Sequence, residues 1–205
     1  MTNTGTLPPI TRPSPAEVQK YLALWDEGSN AKLDVALRTL FTTMPGNTDV
    51  GEVAVKLAAL NGLYSTNILA LFNVAAHIAG LGIDLRLAKG EADPDLIEEI
   101  ATVEFRGKTR RNYSFATKYC SFHRPDLYPI YDSLVAQVLN TLLQQGESFD
   151  SFVPGERWRT NYAIWHRSVT KLRIHYGLEA YSIRDIDKYL WLVAKERQSP
   201  VQVPG

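Results

Sequence analysis

Apolar residues recur at helical spacing along almost the whole chain, and no stretch alternates in the manner of a strand. Val18, Tyr21, Leu22 and Trp25 share one face behind Ser14-Pro15-Ala16-Glu17, a capping box with proline at the first helical position. Leu33, Leu37, Leu40 and Phe41 define a second helix over about 30–42, and Val53, Leu57 and Leu60 a shorter one starting at Asp49 or Gly51. Ser65 and Thr66 predict the cap of a long helix over 67–79, stopped by Gly80 and Gly82. A short helix over 83–87 and one over 95–105 follow, the latter opened by Asp93-Pro94 with Leu96, Ile97, Ile100 and Val103 inward. Gly107 marks a turn before Phe115, Ala116, Tyr119 and Cys120, which again share helical spacing. A helix from Tyr131 or Asp132 runs through Val135, Val138, Leu139 and Leu142 to Gly146, and two more cover about 157–176 and 183–196. Nine or ten helices predict an all-α fold. A single domain is expected over 14–198, with an extended arm at 1–13 and a tail at 199–205.

Composition narrows the class. An apolar content of 45% suits a packed core. The longest apolar run, 68–83, is broken by Asn73 and His77, so no membrane span is expected. The opening "MTNTGTLPPITRPSP" lacks the basic and apolar parts of a secretory leader. The one cysteine, Cys120, allows no intrachain disulfide, so a cytoplasmic setting is expected. Net charge is zero but unevenly placed. Residues 1–100 carry 7 basic and 12 acidic side chains, and residues 101–175 carry 11 and 6. The basic stretch either presents a phosphate-binding face or is chance segregation.

Familiar catalytic signatures are missing. There is no HExxH, P-loop or GxGxxG. Cys120 and His123 have ligand-like spacing, but no second pair completes a metal site. A cysteine on an apolar helix face is usually an inert small hydrophobe.

The chemistry-bearing stretch is "YSFATKYCSFHRPDLYPIYDS", residues 113–133. Its end puts Asp132 at the mouth of a helix, behind a stiff Pro129 turn. A carboxylate there either caps the helix or is held ready for chemistry, and the helix N-terminus favours its ionised form. Ser65, Thr66 and Asn67, flanked by Tyr64, make a polar loop or a plain helix cap. Lys108, Arg110 and Arg111 make a basic turn suited to phosphate, or a solvated one. Trp158, Tyr162 and Trp165 form an aromatic stripe, either core or pocket wall, and Tyr128 and Tyr131 flank the proline turn.

Two segments together, "LYSTNILALFNVAAHI" (63–78) and "GKTRRNYSFATKYCSFHRPDLYPIYDS" (107–133), resemble the helix-hairpin-helix DNA glycosylase superfamily. The resemblance is closer to its small bacterial OGG-fold branch, which includes anti-phage glycosylases. It implies that Asp132 is the catalytic carboxylate and that Tyr64, Ser65, Thr66 and Asn67 wedge into the gap left by an extruded nucleotide. Lys108, Arg110 and Arg111, with Lys118, would grip phosphate, while Tyr128, Tyr131, Trp158, Tyr162 and Trp165 would line the base pocket. The superfamily's glycine-rich hairpin is reduced here to Gly107, and its Schiff-base lysine position holds Ser114, with Lys118 expected on a different helix face. No C-terminal cluster of four cysteines exists, so no iron–sulfur centre is implied.

The implied activity is therefore lysine-independent hydrolysis of an N-glycosidic bond, on a modified base flipped from double-stranded DNA. A hypermodified (glucosylated hydroxymethyl) cytosine of phage DNA and oxidised guanine are the candidate bases. A non-catalytic DNA-binding module of the same fold is the rival expectation, and an all-α interaction protein without nucleic acid a third. A monomer is expected, with no cofactor, no metal and no membrane partner.

Overall fold

The computed structural model describes residues 9–151 and 158–198. The proposed tail at 199–205, most of the proposed arm and the expected start of a helix at 157 lie outside them. Ten helices and one two-stranded sheet make up the described chain. The helices are α1 (Pro15–Glu27), α2 (Ser29–Thr43), α3 (Val50–Tyr64), α4 (Leu71–Gly80), α5 (Asp84–Leu87), α6 (Pro94–Ala101), α7 (Tyr113–His123), α8 (Ser133–Gln144), α9 (Tyr162–His175) and α10 (Ile183–Gln198). Between α6 and α7 run β1 (Thr102–Phe105) and β2 (Lys108–Arg111), an antiparallel pair. The fold is thus predominantly helical.

Local chemistry sets most boundaries. Ser14 caps α1 by accepting from the Glu17 amide, and Asp49, Asp93 and Asn161 cap α3, α6 and α9 in the same way. Two regions depart from expectation. The helix expected over 67–79 begins only at Leu71, because Ser65, Asn67 and Ala70 all take positive φ (48°, 56° and 57°). The Asn61 side chain pins that loop, accepting from the Thr66 hydroxyl at 3.0 Å and from the Ile68 amide at 2.9 Å. The helix expected to 105 stops at Ala101. Arg106 and Gly107, both at positive φ (52° and 69°), then close a two-residue hairpin.

Helix α7 is the centre of the core: every residue of it from Phe115 to Phe122 is buried. It packs on α2, α3 and α6, while α10 lies between α1 and α8. Pairing of α1 with α10 sets Trp25 edge-on to Trp191, with ring centroids 5.8 Å apart. The chain before α1 is tied to the end of α8, where the Gln145 amide side chain bonds both the N–H and the C=O of Ile10.

One buried cation organises the α2–α3 connection. Lys56 of α3 is fully buried and donates to Met44 O, Gly46 O and Asn47 Oδ1 at 3.1, 2.7 and 2.8 Å. These bonds satisfy the Met44 carbonyl, which the end of α2 leaves without a helical partner, and two acceptors of the following turn. Asn47 is held in turn by Asp84, and the Tyr119 hydroxyl donates to Asn47 Oδ1. Burial lowers the Lys56 amine to about 8 and His123, 3.4 Å away, to about 3.

Candidate active-site cleft

Asp132 caps α8 and also faces a cleft. Its Oδ1 accepts from the Leu134 amide at 2.8 Å, and among the described residues Oδ2 accepts no protein hydrogen bond. The half-buried carboxylate lies on the wall of a cleft of about 100 Å³ that opens to solvent. The helix cap occupies only one oxygen, so the cap and functional readings of Asp132 do not exclude each other.

The cleft forms where α1, the start of α2, the end of α3, α7, the start of α8 and α10 converge. Trp25, Tyr64 and Trp191 supply aromatic walls, with Asn30 at the rim. Lys118, Arg184 and Lys188 bring positive charge, and Asp132 and Asp187 negative charge. Arg184 forms a buried ion pair with Asp34 and lies 3.4 Å from the Tyr64 hydroxyl. Its guanidinium sits over Phe122 at 5.1 Å, so it is fixed from both sides.

Lys118 is only 4% exposed, which prevents it from reaching a backbone phosphate on the surface. Its Nζ donates to the Ser114 hydroxyl at 2.5 Å and lies 5.5 Å from the centre of the Tyr64 ring. Residues four apart share a helix face, so Lys118 and Ser114 are not on different faces as expected. Burial lowers the amine to about 8; the carboxylates of Asp132 and Asp187 oppose the shift and Arg184 reinforces it. Asp187 moves the other way. Burial raises it to about 7, against the pull of Arg184, the Ile130 amide and Lys118.

The other expected site residues scatter. Tyr64 lines the cleft, whereas Ser65, Thr66 and Asn67 form the strained loop just beyond it. Tyr128, Tyr131, Trp158, Tyr162 and Trp165 do not line it. They are 0–7% exposed and pack ring against ring, as in Tyr131–Trp165 at 5.2 Å and Trp158–Trp165 at 5.9 Å. The stripe is core because α9 turns its Tyr162, Trp165, Val169 and Leu172 face inward, and Trp158 precedes the helix. Tyr128 and Tyr162 still serve the Asp132 turn. The Tyr128 hydroxyl accepts from the Asp93 amide at 2.9 Å, and the Tyr162 hydroxyl donates to Pro129 O at 3.0 Å.

On the hairpin, Lys108 and Arg110 are exposed. Arg111 is already occupied: it forms a two-pronged ion pair with Glu98, donates to Arg159 O and stacks over Tyr113 at 4.2 Å. Among the described residues no group of three or more His, Cys, Asp or Glu side chains could hold a metal ion. Among them, no helix is long and apolar enough to cross a membrane.

Trp25, Trp191, Arg184, Asp187 and Lys188 are cleft residues that sequence reasoning missed. The signal for the last four was a helix of mixed charge, "IRDIDKYLW" in α10, which normally marks a solvated face.

Fold and site together define a predominantly helical domain with a charged, aromatic-walled cleft built between its first and last described helices. The family model HI_0787_N, described as an N-terminal domain, matches residues 17–127, more than half of the chain. The chain belongs to that family. The match includes Tyr64 and Lys118 and ends short of Asp132. A Haemophilus influenzae protein described as uncharacterized is 40% identical over 137 residues, 66% of this chain and 63% of that relative. The aligned part is thus less than two thirds of the relative's own length. No solved structure matches the chain.

Proposed function

We propose that this protein is a DNA glycosylase in which Asp132 is the catalytic carboxylate. The observation that carries the reading is the position of Asp132: its Oδ1 is held by a helix cap, Oδ2 has no protein partner among the described residues, and the residue lines a cleft walled by Trp25, Tyr64 and Trp191. As a base leaves, C1′ of the deoxyribose becomes cationic, and a fixed carboxylate stabilises that charge. A water molecule beside the carboxylate then adds to C1′, and the proton it gives up passes by way of the carboxylate to the departed base, which leaves neutral. Aromatic walls suit an extruded base, which must stack on something once it leaves the duplex.

The proposed substrate is a modified base in double-stranded DNA. A glucosylated hydroxymethylcytosine is the leading candidate and oxidised guanine the other. Asn30 and Lys188 on the cleft supply hydrogen-bonding groups of the kind a polar substituent on the base would need, which supports a modified base.

One observation favours a second route. The Lys118 amine lies in the same cleft with its proton affinity lowered, so its neutral form can attack C1′ and displace the base, an N–H proton passing to the departing base; opening of the sugar ring then gives an imine in place of a free abasic site. The test is incubation with duplexes carrying each modified base or none, followed by alkali to reveal abasic sites and, in parallel, borohydride to trap an imine. Base release that requires Asp132 supports the glycosylase. Trapping by wild type but not by Lys118→Met selects the amine route. Salt-sensitive binding without release leaves a DNA-binding module, and no DNA affinity rejects both.

A further inference from the structure

Pro129, Ile130 and Tyr131 separate the buried Tyr128 from Asp132, and side chains from three helices hold the main chain of this turn. Tyr162 of α9 donates to Pro129 O at 3.0 Å. The Ile130 amide donates to Asp187 Oδ2 of α10 at 3.0 Å. The Tyr131 amide donates to Thr117 Oγ1 of α7 at 3.1 Å, and the Ser114 hydroxyl donates to Tyr131 O at 3.1 Å. A buried main chain with no helix or strand of its own must find such partners.

Asp187 is the unexpected member of this set. It is 7% exposed, in a helix interface that penalises its charge, and a neutral acceptor would serve the Ile130 amide equally well. The charged groups acting on it are Lys118 of α7, Arg184 one turn away on its own helix and Asp34 of α2, which is paired with Arg184; Asp132 lines the same cleft. The cap bond to Leu134 fixes Asp132 only relative to α8. The bond from Asp187 fixes the approach to α8 relative to α10, which supplies several of the cleft's lining residues.

We infer that Asp187 is a positioning residue for Asp132: by holding the Ile130 amide from α10, it aims the Asp132 carboxylate into the cleft. This rests on Asp132 being the reacting carboxylate, although the clamp can be read separately from that role. A misplacement of about 1 Å at a reacting group can cost about 100-fold in rate.

The test compares Asp187→Ala, Asp187→Asn and Thr117→Val by amide hydrogen exchange at Ile130, Tyr131 and Leu134, and by single-turnover base release at saturating DNA. Asp187→Ala is expected to speed exchange at Ile130 and Leu134 and to slow release by about 100-fold, with duplex affinity unchanged. Asp187→Asn keeps an acceptor for Ile130 and is expected to stay near wild type in both. Thr117→Val frees the Tyr131 amide and is expected to slow release by about 10-fold. Asp187→Ala with fast Ile130 exchange and a wild-type rate overturns the inference, as does equal damage by Asn and Ala. If Asp187→Ala does not fold, Thr117→Val decides: a freed Tyr131 amide with an undiminished rate overturns it. If the wild type releases no base at all, the glycosylase reading fails, and exchange alone reads the clamp. Leu134 staying protected while Ile130 opens then overturns it.

Discussion

The Lys118 amine lies 2.5 Å from the Ser114 hydroxyl, one turn back along α7, and the same hydroxyl donates to the carbonyl of Tyr131, the residue before Asp132. A cleft-lining cation and the proposed catalytic turn are thus joined through a single serine.

Lys118 should accordingly behave unlike a surface lysine. Its amine titrates at about 8, because burial outweighs the attraction of Asp132 and Asp187. Reductive methylation followed by peptide mass spectrometry should show its reactivity rising with a midpoint near pH 8. In Asp187→Asn the midpoint should fall further, since one of the carboxylates that hold the proton is gone. An unchanged or higher midpoint contradicts this electrostatic account.

Asp187 links stability to pH. Its folded-state affinity for a proton is raised to about 7 from an ordinary carboxylate value, so the folded chain holds a proton that the unfolded chain releases. That contribution is fully present below about pH 4 and is lost as pH rises through 7. Between these limits the stability of the wild type relative to Asp187→Asn should decline by on the order of 1 kcal/mol per pH unit. Urea denaturation of the two proteins at pH 4, 5.5 and 7 checks it.

Lys56 should matter for folding and not for the cleft. Lys56→Met leaves the carbonyls of Met44 and Gly46 and the Asn47 side chain without their buried donor. A loss of about 3 kcal/mol is expected in thermal or denaturant unfolding. Because burial lowers the amine to about 8, the cost of charging it is relieved as pH rises from 8 to 10. The gap between wild type and variant should therefore widen over that window.

The hairpin cations should divide by task. Lys108 and Arg110 are exposed, while Arg111 is spent on Glu98, Arg159 O and Tyr113. Replacing both Lys108 and Arg110 by alanine should weaken duplex binding and reduce its salt slope by about 2. Arg111→Ala should leave the slope nearly unchanged and cost about 0.5 kcal/mol of stability for its part-exposed pair. Fluorescence anisotropy over a salt series separates the two outcomes.

Capping and helical periodicity carried much of the helix layout, as at Ser14 for α1 and Asp132 for α8. Loop 65–70 was not legible, because its left-handed residues are serine, asparagine and alanine, whereas the usual marker is glycine. Nor was the hairpin: β2 is exposed along its whole length, so no alternating burial was written into it. Asp132 was legible because a proline turn isolates it. Its cleft partners were not, since Asp187 and Arg184 are brought there only by the packing of α10 between α1 and α8. The aromatic stripe of α9 misled for the opposite reason: a regular apolar face fits a core as readily as a pocket.

The most direct measurement is the single-turnover rate of base release by wild type and Asp132→Asn, with duplex affinity measured beside it. Asparagine keeps an oxygen to accept from the Leu134 amide but removes the charge. The account predicts a rate lowered by about 100-fold or more at unchanged affinity. Equal rates for the two proteins would contradict it.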